Sequence, residues 1–423
     1  MSNKKVALVL NAVTAILPIA WFAANAGAET EKVLYSFKGG PADGAYPAGG
    51  LIMDKNGNLY GVTAQGSVNG GTVFELSPGA DSAWTEKVLH SFTGKDGLIP
   101  LGGLIQDASG NLYGTTAEGG DNYGVGGAPG QGVVFELTPA ASGTWTETVL
   151  HSFSDEHGVR PSGGLVFDRE GNLYGSTGGY GSCGAFYGAG IFELTPAAEG
   201  KWTETELHSF SPTRDGVEGL IFDAAGNLYG TTGGGGRFCA GGTGGTAFEL
   251  TPRGGGVLTE TLLHNFGGGA DGSNPSAGIA FDGSGNLYGV TFWGGTQGDG
   301  TVFELESLEG GGWAEKILHS FGAETKGGIS PGAGLTFDGK GNFYGTTGGG
   351  GADMGGEVFE FTPKEGGGWE KTVLHDFGTG GGGSIPISSL LVDAAGNLYG
   401  TTVEGGIYGS EVGGYGTVFE ILP

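Results

Sequence analysis

Histidine is the residue of this chain best suited to proton transfer or metal binding near neutral pH, and it recurs at one position. Each copy stands two residues before a phenylalanine, in the pattern V-L-H-S-F and near variants of it. A group that recurs once in every repeat is spread through the fold and cannot converge on one reaction centre. We therefore expect packed, hydrogen-bonded structural residues; His157, in an acidic loop, is expected at the surface. The six repeated histidines are His90, His151, His208, His264, His319 and His375.

A turn phrase of the type Asp-x-x-Gly-Asn also recurs and can be compared with a calcium-binding loop. The copy at 54–58 spaces oxygen-bearing side chains two residues apart. The copies beginning at Asp107 and Asp223 lack the intermediate ligands, and no glutamate closes the loop as calcium sites require. We expect hairpin turns at these positions, and the sequence predicts no metal site and no cofactor.

Cys183 and Cys239 are the only cysteines. They follow Thr177 and Thr232 by six and seven residues, in glycine-rich segments of adjacent repeats. In an exported chain with two cysteines, a disulfide that joins neighbouring loops is expected. Two free or metal-binding thiols are the alternative.

Aromatic residues concentrate in the same glycine-rich segments, which hold most of the differences between repeats. Aromatic faces beside carboxylates suit sugar rings, and loops on a rigid scaffold commonly carry binding sites. The alternative is that these side chains only pack the loops or cap a central channel. The candidate ligand-binding residues are Tyr123, Tyr180, Tyr187, Phe238, Phe292, Trp293 and Tyr408.

Two motifs of known enzymes are absent from the sequence, which contains no H-E-x-x-H and no Walker loop. The string G-I-S-P-G at 328–332 fits G-x-S-x-G, but such a match is weak evidence in a chain this rich in glycine. The segments that precede the turns read L-I-M-D, L-I-Q-D, L-V-F-D and similar, without a singular His, Glu or Asn. We assign no catalytic residue from the sequence.

The elements that position these residues come from a repeat that fills the chain. Its core phrase, D-x-x-G-N-[L/F]-Y-G, recurs at intervals of 53 to 61 residues, a period typical of propellers, solenoids or arrays. In the third unit we predict strands at 164–168, 172–177, 190–196 and 202–210. Four antiparallel strands per repeat predict an all-β, seven-bladed β-propeller. The phrase ends at Tyr60, Tyr113, Tyr174, Tyr229, Tyr288, Tyr344 and Tyr399.

The phase of the repeat predicts how the ring closes. Residues 31–37 read as a fourth strand, whereas residues 416–422 read as a third strand. If the first segment completes the last blade, no unpaired sheet edge remains. We therefore expect the N-terminal strand to close blade 7.

Charge and the N-terminus bear on location and partners. The net charge is −27 with only 18 Lys and Arg, which makes nucleic acid and anionic membrane surfaces unlikely partners. Lys4 and Lys5 precede an apolar stretch and an Ala-Gly-Ala site that ends at Ala28, the order of a secretory signal peptide. An uncleaved anchor is the alternative. We expect a signal peptide at 1–28, a propeller at 29–423, and a secreted or periplasmic protein with no transmembrane span after cleavage.

The combined phrases D-x-x-G-N-L-Y-G-T-T, G-T-V-F-E-L-T-P and W-T-E-T-V-L-H-S-F resemble the GloVer tandem repeat of exported bacterial "choice-of-anchor" proteins, over residues 31–423. The turn alone is similar to NHL-type propellers. The resemblance implies an exported propeller of unassigned activity and supplies no catalytic residues.

Three hypotheses for function follow. The first is a monomeric, non-enzymatic binding or scaffold protein for carbohydrate or another cell-envelope ligand. The second is a propeller enzyme of the polysaccharide lyase or lactonase type that uses the same loops. The third is a passive envelope or matrix protein.

Overall fold

Seven four-stranded antiparallel sheets form the fold seen in a computed structural model of the chain. Within the described residues there is no α-helix, and no helix has the length and apolar character needed to cross a bilayer. The prediction of a seven-bladed β-propeller with four strands per blade is confirmed. The structure describes residues 31–40, 43–66, 70–154, 159–161, 163–178, 189–210, 216–234, 244–253, 258–267, 269–322, 327–378, 382–408 and 413–422.

Each of blades 1 to 6 takes its four strands from one continuous stretch of chain. Blade 1 contains β2 (Ala45–Met53), β3 (Leu59–Gln65), β4 (Thr72–Pro78) and β5 (Trp84–Ser91). Blade 2 contains β6 (Ile105–Gln106), β7 (Leu112–Thr116), β8 (Val133–Pro139) and β9 (Trp145–Ser152). Blade 3 contains β10 (Val166–Phe167), β11 (Leu173–Thr177), β12 (Gly190–Pro196) and β13 (Trp202–Ser209). Blade 4 contains β14 (Val217–Phe222), β15 (Leu228–Thr232), β16 (Thr246–Pro252) and β17 (Leu258–Asn265).

Blade 5 contains β18 (Ala280–Phe281), β19 (Leu287–Thr291), β20 (Thr301–Ser307) and β21 (Trp313–Ser320). Blade 6 contains β23 (Thr336–Phe337), β24 (Phe343–Thr347), β26 (Glu357–Pro363) and β27 (Trp369–Asp376). Blade 7 contains β29 (Leu391–Val392), β30 (Leu398–Thr402), β32 (Thr417–Ile421) and β1 (Glu31–Ser36). Two small ribbons pair β22 (Gly328–Ile329) with β25 (Gly349–Gly350), and β28 (Gly383–Ser384) with β31 (Glu404–Gly405). Single 3₁₀ turns lie at Ala80–Ser82, Val125–Gly127, Ala198–Gly200 and Gly269–Asp271.

Ring closure occurs as the phase of the repeat predicted. Strand β1 pairs antiparallel with β32, with Val33 opposite Phe419, and so becomes the fourth strand of blade 7. Lys32 adds an ion pair with Glu420, with 3.1 Å between Nζ and Oε2. Residues 388 positions apart in sequence therefore fix the ring.

The Asp-x-x-Gly-Asn phrase forms the turn between first and second strands. In blade 1, one carboxylate oxygen of Asp54 accepts the backbone N–H groups of Asn56 and Asn58, at 2.8 and 2.9 Å. The side-chain amide of Asn58 donates to the other oxygen at 2.9 Å. The same bonds recur in all seven turns. The aspartate is thus a turn residue, as predicted, and its oxygens are already bonded by the chain.

The core lies between blades, and its largest fully buried side chains are phenylalanines. A fourth-strand phenylalanine of one blade packs on a third-strand phenylalanine of the next, for example Phe92 on Phe135 with 5.1 Å between ring centroids. The glycine of the N-L-Y-G phrase makes room for this ring. A Cβ at Gly114 would lie 2.6 Å from Cζ of Phe135, which is closer than real contacts allow. Aromatic packing therefore dictates that Tyr is followed by Gly in each repeat.

Candidate functional site

One end of the ring carries the connections from second to third strands and from each fourth strand to the next blade; we call it the upper face. On this face the two kinds of connection pair with each other in short ribbons. Ser273 pairs with Trp293 in blade 5, and Leu98 with Glu118 in blade 2. The variable loops are therefore anchored at their bases by backbone hydrogen bonds, as the scaffold of a binding surface requires.

At the entry to six blades, the residue immediately before the proline has a left-handed backbone conformation. Its N–H bonds to the preceding blade, and its C=O accepts from its own blade: Ile385 N–H donates to Gly355 at 2.8 Å, and Val403 N–H donates to Ile385 at 3.1 Å. This conformation costs about 1–3 kcal/mol for a non-glycine residue, and the inter-blade hydrogen bonds offset it. The residues are Tyr46, Ile99, Arg160, Asn274, Ser330 and Ile385, with φ between 53° and 60°.

Below these residues, the first strands of neighbouring blades are in backbone contact. A Cβ at Gly49 would lie 2.7 Å from the backbone nitrogen of Gly103, and one at Gly219 would lie 2.5 Å from Cα of Gly278. Such contacts need glycine. They explain why glycine recurs shortly after the blade entry, as at Gly49 and Gly219, and these glycines form a collar around the propeller axis.

Blade 4 departs from this pattern and carries a single carboxylate just above the collar. Val217 replaces the proline. Glu218 is on the first strand, β14, and lies opposite Thr231 of β15. Burial raises the pKa of Glu218 to about 7, although the side chain keeps part of its surface. Its carboxylate has no hydrogen-bond or ion-pair partner among the described residues. The sequence prediction missed Glu218; the missing proline at this entry was the signal.

A groove of about 390 Å³ opens on the upper face between blades 6 and 7. Its side-chain walls come from Asp353, Met354, Ile385 and Glu404, and most of the remainder is glycine backbone. Met354 has φ 63° and is 64% exposed. A methionine held left-handed and in solvent is unusual, and such outliers are found at ligand contacts. The groove thus brings together two carboxylates, two apolar side chains and the exposed backbone of glycine residues.

Two further grooves lie on the lower face, of about 400 and 320 Å³. They occupy equivalent positions between blades 3 and 4 and between blades 1 and 2, and both are lined by the Asp-x-x-Gly-Asn turns and the strand residues beside them. Both grooves are lined by repeat positions. They therefore result from the packing of adjacent blades and do not distinguish one blade from another.

The four predicted aromatic residues that the structure describes lie on the upper face but not in one patch. Trp293 is 46% exposed and packs edge-on against Phe292 at 4.8 Å in blade 5. The Tyr123 ring covers Gly94, which places it in blade 2 at the boundary with blade 1. Tyr408 lies in blade 7, with Nζ of Lys38 5.9 Å from its ring centroid. The structure therefore spreads these four residues over blades 2, 5 and 7.

Several predicted features lie outside the described residues. They are Tyr180, Tyr187, Phe238, His157, the cysteines Cys183 and Cys239, and the signal segment 1–28. These stay predictions.

The repeated histidines lie where the fourth strands of two neighbouring blades meet, which we call a seam. Each packs edge-on against the phenylalanine two residues later, at 4.6 to 4.8 Å. Across the seam stands a glutamate of the next blade: Nε2 of His208 lies 3.3 Å from Glu260, and that of His375 lies 3.4 Å from Glu31. The predicted structural packing is present, together with inter-blade contacts between histidine and glutamate that the sequence did not predict.

Three glutamates at the seams have raised pKa values. Burial raises the pKa of Glu86 and of Glu147 to about 7 each. Glu315 has its pKa raised by burial and by the neighbouring carboxylate of Asp271. The 5/6 seam is the exception: Lys371 replaces the glutamate, its ammonium binds Glu357, and burial together with this lysine lowers the pKa of His319 to about 4.

A family model described as the Gloeobacter/Verrucomicrobia repeat matches residues 20–125 and 238–423, which is more than half of the chain. The chain belongs to this family. The resemblance drawn from the repeat phrases is thereby confirmed, and the Gloeobacter/Verrucomicrobia repeat is, in this chain, one blade of a propeller. A search of curated proteins gives no significant match.

Solved structures of similar shape are distant from this Gloeobacter/Verrucomicrobia repeat protein. A Dyadobacter fermentans protein of unknown function is 13% identical, with 81% of this chain and 96% of that chain covered and a TM-score of 0.42. A luciferin-regenerating enzyme is 13% identical (93% and 95% covered, TM-score 0.44). A Xanthomonas campestris gluconolactonase is 14% identical (94% and 90% covered, TM-score 0.44). Likeness at this level carries no argument about activity.

Proposed function

We propose that this protein is an exported, non-enzymatic binding propeller that holds a polyhydroxylated ligand, a glycan of the cell envelope, on its upper face. The observation that carries the proposal is the groove between blades 6 and 7. It is an upper-face concavity in which the loop residues Asp353, Met354 and Glu404, with Ile385 at the entry to blade 7, supply both the polar and the apolar wall.

The lining chemistry matches a sugar ring. The carboxylates of Asp353 and Glu404 accept hydrogen bonds from hydroxyl groups, and charged acceptors make the stronger bonds. Met354 and Ile385 offer apolar surface to the C–H faces of the ring. Glycine walls allow a ligand to approach the backbone closely, with its N–H and C=O groups as further partners.

A longer glycan would use more of the upper face. Blade 5 is adjacent to blade 6, so an oligosaccharide that leaves the groove across blade 6 meets the exposed ring of Trp293. A flat aromatic ring is a suitable platform for a second sugar. Tyr408 belongs to the same blade 7 loop as Glu404 of the groove, whereas Tyr123 lies farther round the ring in blade 2 and would contact another part of an extended or branched ligand.

The location of the protein is part of the same proposal. The basic, apolar and small-residue order of the first 28 residues directs export to the periplasm or the medium. A net charge of −27 on a propeller keeps the protein away from anionic surfaces and favours a soluble monomer. A neutral glycan is compatible with this charge, whereas a polyanionic one is disfavoured.

The test is a glycan-array screen followed by thermal-shift titration of each hit. Met354→Ala and Glu404→Gln should weaken binding, the second by about 10–100-fold because a hydrogen bond to a charged group contributes about 1.5–3 kcal/mol. Val125→Ala is the matched control, since Val125 is 66% exposed in the corresponding loop of blade 2. Equal affinity of the groove variants and the control variant for the ligand would rule the groove out.

One observation favours an enzyme as the second candidate. Glu218, with a pKa of about 7 above the collar, is suited to give or take a proton near neutral pH. A lyase or lactonase would need such a group. Each bound glycan or sugar lactone is therefore incubated and analysed for products; turnover that Glu218→Gln abolishes, with binding retained, would favour the enzyme over the binding protein.

A further inference from the structure

We infer that the seam between blades 4 and 5 is a binding site for one divalent transition-metal cation, held by His264, Asp271 and Glu315. Nε2 of His264 lies 2.9 Å from Oδ1 of Asp271 and 3.8 Å from Oε1 of Glu315. One ligand atom from each residue lies within 4.8 Å of the other two. A cation placed among them would be reached by all three with small side-chain adjustments.

The three ligands come from three separate elements. His264 stands near the end of β17 in blade 4, Asp271 ends the 3₁₀ turn Gly269–Asp271, and Glu315 lies on β21 in blade 5. The backbone N–H of Gly267 donates to the second oxygen of Asp271 at 2.6 Å, which orients the first oxygen towards His264. A bound cation would cross-link two blades through rigid positions.

The charges of the cluster call for a cation. Asp271 and Glu315 are both partly buried, and Oε1 of Glu315 is buried without a hydrogen-bond partner. Two neighbouring, partly buried carboxylates repel each other, and either a proton on one of them or a cation between them relieves the repulsion. Among the described residues, no Lys or Arg forms an ion pair with either carboxylate.

In the 5/6 seam, a lysine of the chain itself supplies the positive charge. At the position of Glu315, blade 6 has Lys371, whose ammonium binds the buried Glu357. In blade 5 the residue equivalent to Glu357 is Thr301. The chain therefore places a lysine and its counter-charge together in one seam and leaves the 4/5 seam acidic.

The 1/2 seam has the same residue types, and Oε1 of Glu147 is likewise buried without a hydrogen-bond partner, but its aspartate accepts more hydrogen bonds from the chain than Asp271 does. Oδ2 of Asp96 lies 3.1 Å from His90, while its Oδ1 accepts the backbone N–H groups of Thr93 and Gly94 and the Thr93 hydroxyl. Glu147 of the next blade does not join them in a three-residue metal cluster within the described residues. This seam is the internal control for the inference.

One imidazole nitrogen with two carboxylate oxygens suits Zn²⁺ and its first-row neighbours better than Ca²⁺ or Mg²⁺, which prefer all-oxygen sites. Three protein ligands complete a tetrahedron with one solvent molecule. The side chains of the three residues keep between 14% and 28% of their surface, so the ion can enter from solvent.

The experiment titrates the chelator-treated, purified chain with Co²⁺ alone and records the visible ligand-field absorption. We expect saturation at one equivalent and a melting temperature that rises with Co²⁺ concentration, because a ligand of the folded state stabilises it by mass action. Loss of a supporting residue outside the ligand shell costs about 10–100-fold in metal affinity. Glu315→Gln removes a ligand, so it should cost at least about 100-fold.

Variants make the result decisive. Glu315→Gln keeps the shape of the side chain, and far-ultraviolet circular dichroism checks that it is folded. His264→Gln should also abolish the absorption, whereas Glu147→Gln in the 1/2 seam should leave both stoichiometry and affinity unchanged. Absence of saturable Co²⁺ absorption in the wild-type chain, or an unchanged titration with Glu315→Gln, would overturn the inference.

Discussion

Replacement of Phe37 by alanine tests whether β1 is an integral strand of blade 7. Phe37 is fully buried, with its ring centroid 5.2 Å from that of Phe74 in blade 1 and 5.2 Å from that of Tyr35. A buried Phe→Ala change costs about 3–5 kcal/mol. An unfolding entropy of roughly 2.1 cal/mol/K per residue gives about 0.8 kcal/mol/K for a propeller of about 390 residues. The melting temperature should therefore fall by about 4–6 °C.

The control is Phe92→Ala in blade 1, where the chain is continuous. Phe92 is also fully buried, and its ring lies 5.1 Å from Phe135 and 4.8 Å from the ring of His90. Differential scanning calorimetry of the two variants and the wild type should give equal losses. A fall of less than about 1 °C for Phe37→Ala, beside the full loss for Phe92→Ala, would refute closure of the ring by β1.

Three further predictions concern charge and export. Burial raises the pKa of Glu147 from 4.5 to about 7. The favourable contribution of this carboxyl group to the free energy of unfolding is therefore complete below pH 4.5 and lost as the pH rises through 7. In urea denaturation, Glu147→Gln should be more stable than wild type at pH 8, by about 1 kcal/mol after allowance for solvent screening, and equal to it at pH 4.5. Lys371→Met should lower the free energy of unfolding by about 3–5 kcal/mol because it leaves Glu357 as an unpaired buried charge. The double change Lys371→Glu with Glu357→Thr, which copies blades 1, 4, 5 and 7, should restore most of the loss; a single variant as stable as wild type would contradict this pairing. Mass spectrometry of the exported protein should show an N-terminus at Glu29 after cleavage by signal peptidase, and retention of Lys4 and Lys5 would indicate an anchor instead.

The fold was predictable because every blade repeats the same physical requirements. The Asp-x-x-Gly-Asn turn, the glycine beneath a phenylalanine and the alternation of the W-T-E-T-V-L-H-S-F strand are local patterns that the sequence displays directly. Ring closure was predictable as well, because only the pairing of residues 31–36 with 417–421 leaves no sheet edge.

Features that depend on two blades at once were not predictable in the same way. The sequence predicts a structural role for His264, but only the ring brings Glu315 of the next blade beside it. Likewise, the left-handed residues before proline owe their conformation to hydrogen bonds from a neighbouring blade. Departures from the repeat were visible in the sequence, and Glu218 and Lys371 are two of them. The structural consequences of these departures depend on contacts with the neighbouring blade, which the repeat alone does not reveal.

The candidate site was predicted only as a surface. The loops that hold Tyr123, Trp293 and Tyr408 do lie on one face, as expected from their place between second and third strands. They belong to different blades, so the aromatic residues do not converge. The groove between blades 6 and 7 was missed because its walls are mostly glycine, and Met354 and Ile385 stand out only through their backbone conformation.

Hydrogen–deuterium exchange with and without the best glycan from the array tests the central proposal most directly, because it reports where the ligand binds without any substitution. We expect slower exchange in residues 349–356 and 403–408, which border the groove, and no change in the Asp-x-x-Gly-Asn turns of the lower face. Protection confined to those lower turns, or no protection at a saturating glycan concentration, would contradict binding on the upper face.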